Sequence, residues 1–170
     1  NYTDKISLHA LVLALSEWNL LILDSENQIV RLHSLVAEYF SKLLSEAEKT
    51  QIHTHTALWY KNAVINNRDF LIQDEISALR HVLLANDGKN AFEILFEVKI
   101  GHQNLFDRLL IYGHLWECSE FLKEISKLVT GIQKVQCILS RTYVLNELEL
   151  SHLALQDLQL ATVILLMSPN

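Results

Sequence analysis

Residues 18–40 read WNLLILDSENQIVRLHSLVAEYF and carry the clearest structural signals of the chain. A short apolar run ends at the polar turn composition DSEN, and the β-branched segment IVRLH follows. Two such segments around a polar turn are typical of a β-hairpin. We therefore predict two strands, near residues 20–23 and 29–33.

An amphipathic helix is predicted directly after the second strand. Ser34 is the expected N-cap, because its hydroxyl can accept a hydrogen bond from a free backbone N–H of the first turn. Glu38 and Lys42 lie opposite the apolar positions of this helix. Those positions are Leu35, Val36, Tyr39, Phe40, Leu43 and Leu44. Upstream, residues 4–17 carry a similar helical stripe.

The remainder of the chain is expected to be helical. The 170 residues include only 4 Gly and 1 Pro, and turns and strands need those residues more than helices do. Short amphipathic segments alternate with tight turns, which predicts stacked antiparallel helical hairpins. Gly88 is expected to end one helix in the left-handed conformation. Strands beyond residue 48 would argue against this architecture.

The segment 18–40 resembles the end of the winged-helix domain of STAND-type (NB-ARC) signal-transduction ATPases. In that family, the strand after the wing ends in a hydrophobic–His–Asp triplet, followed by a leucine-rich helix. The corresponding triplet here is Leu32-His33-Ser34. Residues 79–91 are similar to the helical hairpins that follow the winged helix, and residues 135–165 resemble a degenerate tetratricopeptide unit.

The resemblance implies a mainly α fold with two domains. Residues 1–47 would be a winged-helix portion with one β-hairpin, and residues 48–170 a tetratricopeptide-like α-solenoid. The chain would be the non-catalytic regulatory and protein-interaction region of a cytoplasmic multidomain signalling NTPase. Its partners would be its own nucleotide-binding domain or another protein, with self-association on activation.

His33 is the main candidate site residue. The resemblance implies that it contacts the β-phosphate of ADP in the closed full-length protein, since an imidazole N–H can donate to a phosphate oxygen. The alternative is a half-buried histidine that bonds a backbone carbonyl at the strand end. We expect the ring at the domain surface. Ser34 replaces the family's Asp, so no charged pair can form at that position.

No complete catalytic site is visible in the sequence. A Gly-x-x-x-x-Gly-Lys-Ser/Thr loop is missing, so any ATPase domain is expected upstream of Asn1. No nucleophile elbow or Cys–His signature occurs. We therefore expect no enzyme activity and no cofactor in this chain, with ADP or ATP bound by the full-length protein.

Metal binding is also not predicted. His53 and His55 would point about 200° apart on a helix and cannot share an ion. His114 and Cys118 could form half of a site, but a core cysteine is the favoured interpretation. The acidic pairs are expected on solvated faces or turns; they are Glu46–Glu48, Asp74–Glu75 and Glu147–Glu149.

The three tryptophans, Trp18, Trp59 and Trp116, occur at core spacing and are predicted to be buried. Trp59 shares a helical face with Ile52 and Ala63, so its replacement by Ala should cost about 3–5 kcal/mol. A binding platform is the alternative interpretation for these side chains.

Two other functions stay open. The first is a winged-helix transcription regulator, although a formal charge of -6 and the lack of a basic cluster argue against nucleic-acid binding. The second is a stand-alone tetratricopeptide-like adaptor. A membrane protein is not predicted, since polar residues interrupt the apolar run at residues 6–23.

Overall fold

A computed structural model describes residues 15–18, 20–24, 29–66 and 72–167 of the chain. The chain is mainly helical and divides into two compact units, Asn1–Lys49 and Thr50–Asn170. A compact unit is not evidence of independent folding, so the domains 1–47 and 48–170 stay a prediction.

The first unit contains the predicted β-hairpin. Strand β1 (Leu21–Asp24) pairs with β2 (Ile29–Leu32) in an antiparallel ladder, with Leu21 opposite Leu32. Helix α1 (Ser34–Leu43) follows after one residue. The hairpin and this helix are confirmed. Of the helix expected upstream, residues 15–17 are helical, and residues 4–14 lie outside the described part.

Most of the predicted helices of the second unit are confirmed. Apolar residues recur at helical spacing in α3, α4 and α6, and each of these helices buries one apolar face. Their bounds are α2 Glu46–Asn66, α3 Ile72–Leu84, α4 Gly88–Phe96, α5 Leu105–Ile111, α6 Leu115–Leu128, α7 Gly131–Glu147 and α8 Ser151–Met167.

The core of the second unit lies between α3, α4, α5 and α6, where one cluster of apolar side chains is buried. The fully buried large members include Ile76, Leu79, Leu95, Leu105, Leu109, Leu122 and Ile125. Helices α6, α7 and α8 then pack in succession, each against the next. Connections of two or three residues between them make neighbours antiparallel.

The expectation of helices alone beyond residue 48 is wrong at residues 99–104. Strand β3 (Lys99–Ile100) pairs with β4 (Gln103–Asn104) in a short antiparallel ladder. Gly101 takes φ +66° in the two-residue turn, a conformation that glycine adopts without strain. Asn104 then caps α5 by accepting a hydrogen bond from the Asp107 N–H at 2.8 Å. This hairpin argues against an uninterrupted array of helical hairpins.

The predicted role of Gly88 is also wrong. Asn86, with φ +56°, takes the left-handed conformation after α3. Asp87 caps α4 by accepting from the Asn90 N–H at 3.0 Å. Gly88 instead lies where an added Cβ would stand 2.5 Å from the Leu128 Cβ. It therefore allows the start of α4 to approach the end of α6.

Among the described residues, no helix has both the length and the apolar character needed to cross a bilayer.

Candidate functional site

His33 lies between the hairpin and α1, at the surface of the first unit. Its backbone N–H donates to the Leu20 carbonyl at 2.9 Å, which fixes the chain at this point. The exposed ring accepts a hydrogen bond at Nδ1 from the Leu35 N–H, at 3.4 Å. The ring is therefore exposed, as predicted, and its contact with ADP stays a prediction.

Ser34 is not the N-cap that the sequence suggested. His33 occupies that position, with φ -56° and ψ 137°, and Ser34 is the first residue inside α1. The N-cap lies one residue earlier than predicted, because an imidazole nitrogen can accept the same backbone hydrogen bond as a serine hydroxyl. Because Nδ1 accepts, the neutral ring carries its proton on Nε2.

Helix α1 presents an apolar surface and has no buried residue. Its four largest apolar side chains are between 52% and 70% exposed; they are Leu35, Tyr39, Phe40 and Leu43. On the polar side, Lys42 forms an ion pair with Glu38 at 2.6 Å. The predicted stripe is thus present in the helix, and within the described part of the chain it is uncovered.

The tryptophans were predicted to be buried, and this is wrong for all three. Trp18 is 74% exposed, Trp59 64% and Trp116 61%. Helical spacing identifies a shared face but does not say whether another element covers it. The Trp59 ring packs edge-on against the neighbouring Tyr60 ring, at 5.0 Å between centroids.

His114 and Cys118 do not form half of a metal site. The His114 ring contacts Glu117 Oε2 through Nδ1 at 2.8 Å, and Glu117 also accepts from Arg80 at 2.5 Å. Cys118 is fully buried. Within the described ranges, no group of three or more His, Cys, Asp or Glu side chains could hold a metal ion.

The two thiols lie in apolar surroundings. Burial raises the pKa of both Cys118 and Cys137 to about 12. The thiolate is the reactive form of cysteine, so these residues are poorly suited to nucleophilic chemistry near neutral pH.

The expectation of solvated acids is wrong for Glu75. This side chain is 1% exposed and forms a buried ion pair with Arg108 of α5. Burial raises the pKa of Glu75, and the charge of Arg108 opposes that shift. The pair connects α3 to α5 inside the core. Sequence periodicity alone gives no signal for an ion pair between residues 33 positions apart.

Glu48 also has a structural role that was missed. It accepts from the Ser45 N–H at 2.8 Å, while the Ser45 hydroxyl accepts from the Glu48 N–H at 3.3 Å. This is a capping box at the start of α2, and the hydrogen bonds from Ser45 lower the pKa of Glu48. The Ser-x-x-Glu pattern at residues 45–48 could have revealed it.

A second polar cluster joins the last three helices. Arg141 of α7 donates to both carboxylate oxygens of Asp157 of α8, at 3.0 Å each. Its Nε also donates to the Ser119 hydroxyl of α6 at 3.4 Å. Burial raises the pKa of Asp157, and Arg141 opposes the shift. Through these contacts Arg141 connects α7 to both α6 and α8.

His53 has a partner that the sequence did not suggest. It does not act with His55, which is exposed, but meets His81 of α3. The two Nδ1 atoms are 2.9 Å apart, and the His81 ring stacks on Tyr60 with centroids 6.0 Å apart.

Compared with known proteins, the chain matches no family model, no curated protein sequence and no solved structure.

Proposed function

We propose that this chain is the non-catalytic regulatory and interaction region of a multidomain signalling NTPase. In this proposal, a winged-helix portion that ends in α1 reads the nucleotide state of an upstream domain. Tetratricopeptide-like hairpins in the second unit then bind a protein partner or hold the protein closed.

The observation that carries the proposal is the surface formed by His33 and α1. An amphipathic helix that leaves four large apolar side chains exposed is typical of an interaction surface. His33, the polar N-cap of α1, is also exposed. A docking domain would therefore meet an apolar face with one hydrogen-bonding group at its edge.

The tautomer of His33 supports contact with an anion. Because Nδ1 accepts from the Leu35 N–H, the ring presents Nε2–H as a donor. Phosphate oxygens accept only, so a diphosphate suits this donor. The first turn of α1 carries no acidic side chain, and a helix N-terminus favours a nearby anion.

The helical part supports the interaction role in a narrower form than the sequence suggested. The β3–β4 hairpin interrupts the earlier helices, so the tetratricopeptide-like proposal is limited to α6, α7 and α8. These helices pack in sequence order, and small side chains at Ala154 and Ala161 are buried where α8 meets its neighbours.

The test is nucleotide-dependent hydrogen exchange in the complete protein. We expect α1 to be protected with ADP bound and to lose protection with an ATP analogue. Tyr39→Glu should abolish this difference, because a charge on the apolar face opposes docking. Glu38→Gln, on the polar side of the same helix, is the matched control and should keep it. Equal exchange of α1 in both nucleotide states would contradict the proposal.

A stand-alone adaptor is the second candidate, and a groove in the second unit favours it. This open groove lies between α5 and α7 and has a volume of about 470 Å³. It is lined by Leu110, Ile111 and Tyr143 together with the polar Gln103 and Asp107. Tyr143→Ser should then weaken binding of a protein partner, without any nucleotide dependence. A complete gene product that lacks a phosphate-binding loop would favour this candidate over the first.

A further inference from the structure

Residues 50–60 of α2 meet α3 along a contact that we call the seam, and this contact includes a pair of histidines. Among residues 50–60 of α2, only Ala57 is buried. One polar contact across the seam is the pair of His53 and His81, with Nδ1 atoms 2.9 Å apart. Beside it lies a small cleft, with a volume of about 30 Å³, that is lined in part by Thr54 and Leu58 of α2. Within residues 50–60, the apolar side chains of the seam that reach the core are Ala57 and the partly buried Tyr60.

The geometry of the pair restricts its protonation. At 2.9 Å, one Nδ1 must donate its proton and the other must accept it. If both rings were fully protonated, two N–H groups would point at each other and two positive charges would lie in contact. The contact thus exists only while at least one ring is neutral.

The surroundings favour neutrality at His81. Burial lowers the pKa of His81, and the charge of His53 lowers it further. Tyr60 of α2 stacks on the same ring, with an interplanar angle of 17°. Among the charged groups of the neighbouring elements, Glu117 of α6 binds Arg80 and Asp87 accepts from Asn90. On α2, Lys49 pairs with Glu46.

We propose that the His53–His81 contact is a pH-sensitive latch, which holds α2 on α3 near neutral pH and releases it in mildly acidic solution. The second proton breaks the Nδ1–Nδ1 hydrogen bond and places two cations in contact. The seam then opens, and the cleft beside Ala57 becomes accessible.

The direction of the effect follows from linkage. A histidine whose pKa is lowered by folding stabilises the folded state above its unfolded value of 6.5. That contribution is lost as the pH falls below 6.5 toward the lower folded value. Each histidine that takes up a proton on opening can raise the opening equilibrium by at most about tenfold per pH unit.

The experiment is hydrogen exchange of the whole chain at about pH 7.5 and about pH 5.5, with rates normalised to the intrinsic rate at each pH. We expect peptides from residues 50–60 to lose protection at the lower pH, while peptides from α7 do not. His53→Ala should weaken this pH response, because the Nδ1–Nδ1 contact is lost while burial of His81 remains. His55→Ala is the matched control on the same helix and should retain it, because His55 is exposed.

The proposal is overturned if the normalised exchange of residues 50–60 in the parent does not depend on pH. It is also overturned if His53→Ala keeps the parent's full response, since another group would then be titrating. Should His53→Ala fail to fold, ring titration of the parent by NMR decides. Coupled steps for His53 and His81 support the latch, and two independent titrations reject it.

Discussion

Glu75 and Arg108 place opposite charges inside the apolar core, where each is costly without the other. Their side chains are 1% and 9% exposed, so little water reaches either group. Removing one partner leaves an uncompensated charge in a medium of low polarity, whereas removing both leaves none. The pair therefore stabilises the contact of α3 with α5 only while both charged side chains are present.

We expect Arg108→Met to lower the free energy of unfolding by about 3–5 kcal/mol. The double variant Glu75→Leu/Arg108→Met should recover most of that loss, because no unpaired charge remains in the core. Chemical denaturation of the parent, both single variants and the double variant measures this coupling. Additive losses in the double variant would show that the two side chains act independently.

Trp59 gives the opposite case, a large apolar residue outside the core. With 64% of its surface exposed, Trp59→Ala should change the free energy of unfolding by only about 0.5 kcal/mol or less. Leu122→Ala, at a position with 0% exposure, is the buried comparison and should cost about 2–5 kcal/mol. Equal losses from thermal or denaturant unfolding would place Trp59 in the core after all.

Single residues were predictable where local chemistry determines their position. The surface position of His33 follows from its place between a strand and an amphipathic helix. The exposure of Trp59 and the pairing of Glu75 depend on which elements meet in space. No local pattern in the sequence contains that information.

At the scale of elements, turns and caps explain both the successes and the errors. Apolar periodicity identified the β1–β2 hairpin and the helices, since each element needs one buried or buriable face. The β3–β4 hairpin was missed because each strand has only two residues, too few to show alternation. The role of Gly88 was predicted wrongly, because a glycine near a helix end can serve either as a cap or as a point of close contact between helices.

The close contact at Gly88 leads to a test at this scale. A Cβ at this position would stand 2.5 Å from the Leu128 Cβ and 2.9 Å from the Leu128 carbonyl carbon and oxygen. Since backbone atoms cannot easily give way, Gly88→Ala should destabilise the chain by about 1–3 kcal/mol. Lys89→Ala, at the exposed next residue of α4, is the control and should have little effect on the melting temperature. Unchanged stability of Gly88→Ala would mean that α4 and α6 lie further apart.

At the scale of the whole molecule, two compact units carry different features of the proposal. The first contains α1, which His33 caps and whose large apolar side chains are exposed. The second contains the buried core and the polar clusters between helices. Interaction surfaces were not predictable from the sequence, because a stripe that meets a partner and a stripe that meets the core have the same spacing. The family resemblance supplied the functional hypothesis, which the exposed surface of α1 supports.

The most direct test of the proposed function is ADP release from the complete protein with His33→Ala. A hydrogen bond to a charged phosphate contributes about 1.5–3 kcal/mol, so ADP affinity should fall by about tenfold to a hundredfold. The fold should be retained, since the exposed ring makes one long hydrogen bond, to the Leu35 N–H at 3.4 Å. His152→Ala, at an exposed histidine of α8, is the control and should release ADP at the parent rate. ADP retention by His33→Ala equal to that of the parent would contradict a nucleotide-sensing role for this chain.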